Sequence, residues 1–246
     1  MTAPPTVLPV VSRMEEILAG LVKTDGVACF TRLYLAVTNA VQARLSGVAF
    51  ADPAFMARLD AQFAGLFFDA VDAAAHDPAK VPRAWAPLLD DRARKGIAPL
   101  QFALAGMNAH INRDLPVALV ATCREAGVEL DTRHADFVAI NSVLAAVEPQ
   151  VKQQYVPGGF LRTVDRLLHR VDRLDDVLAM WDVRVAREAA WTNAETLWAI
   201  RDDTDLRDDF VATLDRTVGL AGRGLLVPAD TWLRRLARNL GIGSRG

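Results

Sequence analysis

Hydrophobic residues recur at intervals of three and four positions along almost the whole chain. One clear series consists of Phe30, Leu33, Val37, Val41 and Leu45. This spacing places the apolar side chains on one face of a helix. Glycine and proline fall between such segments, and no alternating pattern predicts a convincing pair of strands. The sequence therefore predicts an all-α fold, a single compact multi-helix domain of about nine or ten helices with short connections.

Local signals indicate where the first helix and the domain begin. Ser12, followed three residues later by Glu15, has the pattern of a capping box, which marks a helix N-terminus. The proline-rich residues 1–10 are therefore expected to form an extended N-terminal arm. Residues 11–246 are expected to form a single all-α domain, because they contain no repeat and no long linker.

Two other signals concern helix limits farther along the chain. Asp52 precedes Pro53, which is the preferred arrangement of an N-cap and a first helical residue. Pro116 lies inside the most apolar stretch of the chain, residues 98–126. Because proline disfavours helical conformation in the residue before it, two helices are expected to meet near Asp114. Further helices are expected at residues 160–201 and 228–240.

Composition and charge narrow the class of protein. The chain has 246 residues, of which 52% are hydrophobic and 24% charged, and these values exclude intrinsic disorder. Its 28 basic residues nearly balance its 30 acidic ones, so the basic surface of a nucleic-acid binder is not expected. No apolar run approaches the roughly 18 residues of a membrane span, and the N-terminus lacks the basic start of a signal peptide. A cytoplasmic protein with a small-molecule partner is expected, with Cys29 and Cys123 as buried thiols.

One polar segment lies inside the apolar stretch. Asn108, His110, Asn112, Arg113 and Asp114 are flanked on both sides by hydrophobic residues, a combination found nowhere else in the chain. We call these five residues the polar island. His110 and Asp114 are four positions apart, so they share one face if the helix extends that far. A carboxylate beside an imidazole fixes its tautomer and leaves the second ring nitrogen available as an acid or a base.

The polar island is also the centre of a recognisable sequence signature. Residues 106–116 read GMNAHINRDLP and resemble the signature of a bacterial family known only as a domain of unknown function. The resemblance extends loosely to later positions, namely Asp136, Phe137, Asn141, Arg187 and Trp191. It implies a single recurring module and singles out these positions, but it supplies no reaction.

The first functional hypothesis is a small-molecule enzyme that works without a metal or another cofactor. His110 is the expected proton-transfer residue, and Asp114 is expected to orient it. An apolar setting with few charged groups suits a largely apolar, specialised-metabolite-like substrate bound between helices. Isomerase, lyase or cyclase chemistry is therefore expected. The residues expected to contact the substrate are Asn108, Asn112, Arg113, Asn141 and Trp191.

Two other interpretations of the polar island stay open at this point. In the first, His110 and Asp114 join Asp165 and His169 in binding zinc, manganese or iron, as in a phosphoesterase-like hydrolase. In the second, Asp114 caps the following helix, His110 is a satisfied core residue, and the chain is a non-catalytic ligand-binding or interaction protein. The spacing of His110 and Asp114 does not decide between them, because all four histidines have an acid three or four positions away.

Overall fold

The computed structural model describes residues 6–45, 49–155 and 183–228. Within these ranges the chain is largely helical and contains no β-strand, so the predicted all-α class is confirmed. The α-helices, in chain order, are α1 (Leu8–Ala19), α2 (Gly26–Leu45), α3 (Pro53–His76), α4 (Ala86–Asp91), α5 (Pro99–Ala109), α6 (Leu115–Ala126), α7 (His134–Tyr155), α8 (Val183–Ala199) and α9 (Thr204–Leu225). Short 3-10 helices occupy Pro78–Lys80 and Leu130–Arg133, and a π-helical turn occupies His110–Asp114.

Helices α5 and α6 form one continuous rod, because the π turn joins them without a break. His110 and Leu115 both have right-handed helical backbone angles, and the Leu115 N–H bonds to the His110 carbonyl. The expected meeting of two separate helices near Asp114 is therefore wrong. The π turn shifts the backbone hydrogen bonds by one residue, which accommodates the missing N–H of Pro116 at the start of α6.

The rod lies at the centre of the helix packing. Its α5 part packs against α2 and α9, whereas its α6 part packs against α3 and α8. Nearly every residue of α5 from Leu100 to Ala109 is buried, as expected of a helix that is apolar on all sides. Gly106 permits the close approach of α5 to α2, because a Cβ at this position would lie 2.3 Å from the Phe30 ring. The polar island is thereby held between packed helices.

The two predicted helix starts have different outcomes. Asp52 caps α3 as expected, and its carboxylate accepts a 2.9 Å hydrogen bond from the Phe55 N–H. The first helix, in contrast, begins at Leu8 and includes Ser12, so the expected cap at Ser12 is wrong. Residues 8–10 are also helical, so they are not part of an extended arm as expected. Proline is tolerated in the first turn of a helix, where Pro9 lies, because the N–H that it lacks has no partner there.

Eight separate helices lie in the described ranges when the rod is counted once and the 3-10 turns are left aside. This number is slightly below the predicted one, partly because the helix continues through Asp114. Residues 160–182 of the first predicted later helix and residues 229–240 of the second lie outside the described residues. None of the described helices combines the length and the hydrophobicity that crossing a membrane requires.

Candidate functional site

A cavity of about 110 Å³ lies between the rod and helices α2, α3, α7 and α8. Most of its wall consists of leucine, valine, isoleucine, methionine and phenylalanine side chains. Four polar or titratable side chains also line it, namely Tyr34, Asp60, His110 and Arg187. A mainly apolar cavity with a few convergent polar groups is the usual form of a small-molecule site.

His110 lies in the π turn and lines this cavity. The side chain is buried, with 3% of the residue surface exposed. Its Nδ1 atom lies 3.3 Å from the Asp114 Oδ2 atom, so we assign the tautomer in which the Nδ1–H donates to that carboxylate. The Nε2 atom is buried and has no hydrogen-bond partner among the described residues. At the cavity wall, Asp114 therefore holds the Nδ1 of His110, while the Nε2 has no partner among the described residues.

Asp114 is completely buried and orients His110 through a network of three donors. Besides the imidazole, its Oδ2 accepts a 2.9 Å bond from the Trp85 indole, and its Oδ1 accepts a 2.8 Å bond from Arg113. The carboxylate makes no hydrogen bond to the backbone at the start of α6. The structure thus favours orientation of His110 over helix capping. We call His110 and Asp114 the dyad.

The surroundings of His110 favour its neutral form. Burial lowers the pKa of the imidazole, and the hydrogen bond and charge of Asp114, which act in the opposite direction, only partly offset this effect. The ring stacks on Phe63, with centroids 3.5 Å apart and an interplanar angle of 8°, and the Tyr34 ring lies 4.4 Å away. A neutral imidazole that carries its proton on Nδ1 has its lone pair on Nε2, where it can act as a base.

A second titratable group, Asp60 of α3, lines the same cavity and was not predicted. Its Oδ2 atom is buried without a partner in the described part of the chain. Burial raises the pKa of this carboxyl to about 7, so it retains its proton in a large fraction of molecules at neutral pH. The signal in the sequence is its position four residues after Met56 and three before Phe63, on the inward face of α3.

Tyr34 of α2 adds a third polar atom to the cavity. Its hydroxyl is buried and forms no hydrogen bond of ideal geometry with the described residues, although the Thr38 side chain is near enough to interact with it. Burial raises the pKa of Tyr34, and the nearby carboxylates of Asp60 and Asp114 raise it further, so the phenol stays protonated. Tyr34 follows Phe30 by four positions, so its inward orientation was predictable. Its contact with the dyad depends on how the helices meet, which local spacing does not show.

Arg187 of α8 brings a positive charge to the cavity. The residue is only 6% exposed. Its Nε donates a 3.0 Å bond to the Asn141 side-chain oxygen, its Nη2 donates to the Phe137 carbonyl, and its guanidinium carbon lies 4.1 Å from the Phe137 ring centroid. Burial lowers the pKa of Arg187 to about 10, which leaves the guanidinium charged at neutral pH. The structure therefore brings together three positions that the sequence resemblance singled out.

The other residues of the polar island lie outside the cavity wall. The Asn108 amide donates a 2.9 Å bond to the Val218 carbonyl, and the Asn112 amide donates a 3.1 Å bond to Asn108. Arg113, which also bonds the dyad carboxylate, lies 3.6 Å from the carboxylate of Asp215. These side chains join the rod to α9 and support the dyad. The structure does not bring them to the cavity, where substrate contacts were expected.

Two residues that were predicted to contact the substrate, Trp191 and Asn141, do not line the cavity. Trp191 packs against the Phe137 and His134 rings, with centroid distances of 5.0 and 4.6 Å, and is not among the lining residues. Asn141 also lies behind the lining and reaches the cavity only through its bond to Arg187. Both residues therefore support side chains that form the wall.

Two of the four ligands in the metal-binding hypothesis lie outside the residues that the structure describes. Asp165 and His169 both lie in the segment 156–182, which is not described. Within the described ranges, no group of three or more histidine, cysteine, aspartate or glutamate side chains is arranged to hold a metal ion. Asp114 directs its oxygens at His110 and two other donors, which is the role of an orienting partner. The metal hypothesis stays a prediction.

One family of proteins matches the chain over most of its length. Residues 7–228 match the model of a family of unknown function (DUF5995). The matched range contains all the α-helices described above. No curated protein and no solved structure matches the chain. The reaction therefore has to be inferred from the cavity.

Proposed function

We propose that this chain, which belongs to DUF5995, a family of unknown function, is a small-molecule enzyme that moves protons on a largely apolar substrate. The observation that carries the proposal is the state of His110. Its Nε2 is buried at an apolar cavity without a partner among the described residues, while its Nδ1 is held by Asp114. This is the arrangement expected of a general base with a fixed tautomer.

The proposed reaction begins at His110. The Nε2 lone pair takes a proton from a substrate carbon next to a carbonyl group. The C–H electron pair becomes a new C=C double bond, and the π pair of the carbonyl moves to its oxygen. Asp114 stabilises the resulting imidazolium, since a nearby carboxylate favours the charged ring. In a substrate that has a second C=C bond next to the first, Asp60 then donates its proton to the far carbon of that bond. The π pair of that bond forms the new C–H bond, the first C=C bond shifts by one position, and the oxygen electron pair re-forms the carbonyl. The His110 proton returns to Asp60 through the Tyr34 hydroxyl or solvent, which restores both groups.

An isomerase follows most directly from this arrangement, because one base and one acid line the same cavity and have opposite pKa shifts. Lyase and cyclase reactions use the same pair when Asp60 protonates a leaving group or when a ring closes after proton loss. The apolar wall favours a substrate that is mostly hydrocarbon. Both proton-transfer groups are side chains of this chain, so the proposed reaction needs no cofactor.

Proton exchange with solvent tests the proposal before the natural substrate is identified. In D2O the protein is expected to catalyse C–H to C–D exchange on small ketones such as 2-hexanone, cyclohexanone and 5-oxohexanoate, measured by proton NMR. His110→Gln is expected to lower the exchange rate by about a hundredfold or more, because it removes the base. Asp114→Asn is also expected to lower the rate, because an amide does not select the Nδ1–H tautomer.

His76→Gln is the matched control for the loss of a histidine. His76 is exposed at the end of α3 and does not line the cavity, so this variant is expected to exchange at the wild-type rate. Equal exchange by wild type and His110→Gln rejects His110 as the base.

A structural role for the dyad is the second candidate, and the complete burial of Asp114 with three donors favours it. Removing one member of a buried network strands its partners, which costs about 1–3 kcal/mol. This role predicts that both dyad variants melt well below the wild type and that the wild type catalyses no exchange. Near-normal melting of His110→Gln together with lost exchange supports the enzyme instead.

A further inference from the structure

The guanidinium of Arg187 lies at the cavity wall and contacts only neutral groups of the described residues. These groups are the Asn141 side-chain oxygen, the Phe137 carbonyl and the Phe137 ring. A guanidinium has five N–H donors, and the two hydrogen bonds leave the others available. In the part of the chain that the structure describes, no carboxylate forms an ion pair with Arg187.

Asp60, the acid of the cavity wall, does not supply the missing negative charge. Its Oδ2 atom is buried and accepts no hydrogen bond from Arg187 or from any other described residue. Pairing with a guanidinium would lower the pKa of Asp60, whereas burial raises it to about 7. A buried cation that has no counter-charge among the described residues is unfavourable, so an anionic ligand at Arg187 would stabilise the site.

We propose that the cavity binds small carboxylic acids, with the ligand carboxylate against the Arg187 guanidinium and the hydrocarbon body against the apolar wall. This inference rests on the proposed function, because it names the substrate class on which the dyad acts. A planar guanidinium binds a carboxylate through two parallel N–H···O bonds, which fixes the orientation of the ligand as well as its position. The anchored carboxylate thereby orients the hydrocarbon body within the cavity that His110 and Asp60 line.

The size and charge of the cavity limit the ligand further. An apolar cavity of about 150 Å³ takes up benzene, so one of about 110 Å³ suits a body of about four to six carbon atoms. Phosphate esters and dicarboxylates carry a second negative charge, and the described wall contains no lysine and no second arginine. The site is therefore assigned to monocarboxylates.

NMR titration with hexanoate and 1-hexanol tests the assignment, because these probes share a six-carbon chain and differ in charge. At neutral pH the wild type is expected to bind hexanoate at least about tenfold more tightly than 1-hexanol, as charge-assisted hydrogen bonds predict. Acetate has the charge without the hydrocarbon body. It is expected to bind at least about tenfold more weakly than hexanoate, because it buries less apolar surface.

Arg187→Met separates the effect of the charge from that of the shape. Methionine keeps an unbranched apolar stem, so binding of 1-hexanol is expected to persist while the preference for hexanoate disappears. Arg216→Met makes the same change at an exposed position of α9 and is expected to alter neither affinity. A preference for hexanoate that survives Arg187→Met overturns the assignment. So does equal affinity of the wild type for the two probes, a comparison that does not require any variant to fold.

His110→Gln distinguishes this inference from the proposed function. The variant lacks the base but keeps Arg187, so it is expected to retain a preference for hexanoate over 1-hexanol while proton exchange is lost. Tight hexanoate binding without any His110-dependent exchange retains the carboxylate site and rejects the enzyme. Exchange that depends on His110 without a preference for hexanoate retains the enzyme and rejects the carboxylate site.

Discussion

The Nε2 atom of His110 is not explained by a purely structural role of this residue. Buried polar side-chain atoms nearly always have a hydrogen-bond partner, and leaving one without a partner costs about 1–3 kcal/mol. Among the described residues Nε2 has none, although Nδ1 of the same ring is held by Asp114. Asp60 places a similar atom, its Oδ2, at the same cavity. Two such atoms at one cavity are therefore available to bond to a ligand.

Asp60→Asn is expected to change how stability depends on pH. In the folded protein the pKa of Asp60 is about 7, against an ordinary value of 3.8. Between these values the folded state binds more protons than the unfolded state. The stability that Asp60 contributes is therefore full below pH 3.8 and is lost as the pH rises to about 7. Asparagine stays neutral, so at about pH 8 the variant is expected to be more stable than wild type by as much as about 4 kcal/mol.

Urea unfolding at about pH 5 and about pH 8 measures this difference. Asp69→Asn, at an exposed position of the same helix, is the matched control and is expected to follow the wild-type pH dependence. Burial lowers the pKa of His110, so this residue makes the folded state less stable as the pH falls below 6.5. The effect is present in all three proteins and therefore cancels when they are compared. A stability difference between wild type and Asp60→Asn that is the same at both pH values contradicts a protonated Asp60 in the fold.

The π turn is the element that carries the dyad. Its i→i+5 hydrogen bonds add one residue to a helical turn, and such turns occur frequently at functional sites. Here the turn keeps His110 and Asp114 in contact while the helix continues through Pro116. Helical spacing predicted the contact between the two side chains. It did not predict the continuous helix, because proline is normally read as the end of one.

The rest of the site was not predictable from local sequence, because it is assembled by separate helices. Hydrophobic periodicity identifies the inward face of α3, on which Asp60 lies, but it does not show which helices that face meets. Tyr34 and Arg187 reach the same cavity from α2 and α8, which are distant in sequence. The polar island was recognisable because it is contiguous, yet only His110 of its five residues lines the cavity.

Gly106→Ala is expected to destabilise the protein by forcing α5 away from α2. A Cβ at this position would lie 2.3 Å from Phe30, whose ring is enclosed by other aromatic rings. Overpacking of this kind costs about 1–3 kcal/mol, which urea denaturation measures. The matched control is Gly65→Ala on α3, where nothing lies within 4 Å of an added Cβ. It is expected to stabilise by about 0.5–1 kcal/mol, and equal stability of the two variants contradicts the close packing.

At the scale of the whole molecule, the position of the cavity explains the opposite pKa shifts of its two proton-transfer groups. The described helices surround the π turn, so the groups at the cavity lie away from bulk water. Burial disfavours whichever form of a group is charged. It therefore lowers the pKa of His110 and raises that of Asp60, which leaves a neutral base and a neutral acid at the same cavity.

These two shifts predict a bell-shaped dependence of kcat/KM on pH. Proton abstraction needs neutral His110, whose pKa is lowered from 6.5, so the acid limb is expected below that value. Proton donation needs protonated Asp60, so the rate is also expected to fall above about pH 7. Asp60→Asn is expected to lower the rate about a hundredfold and to abolish the alkaline limb. An alkaline limb that persists in this variant, measured on double-bond migration in a β,γ-unsaturated ketone, shows that another group donates the proton.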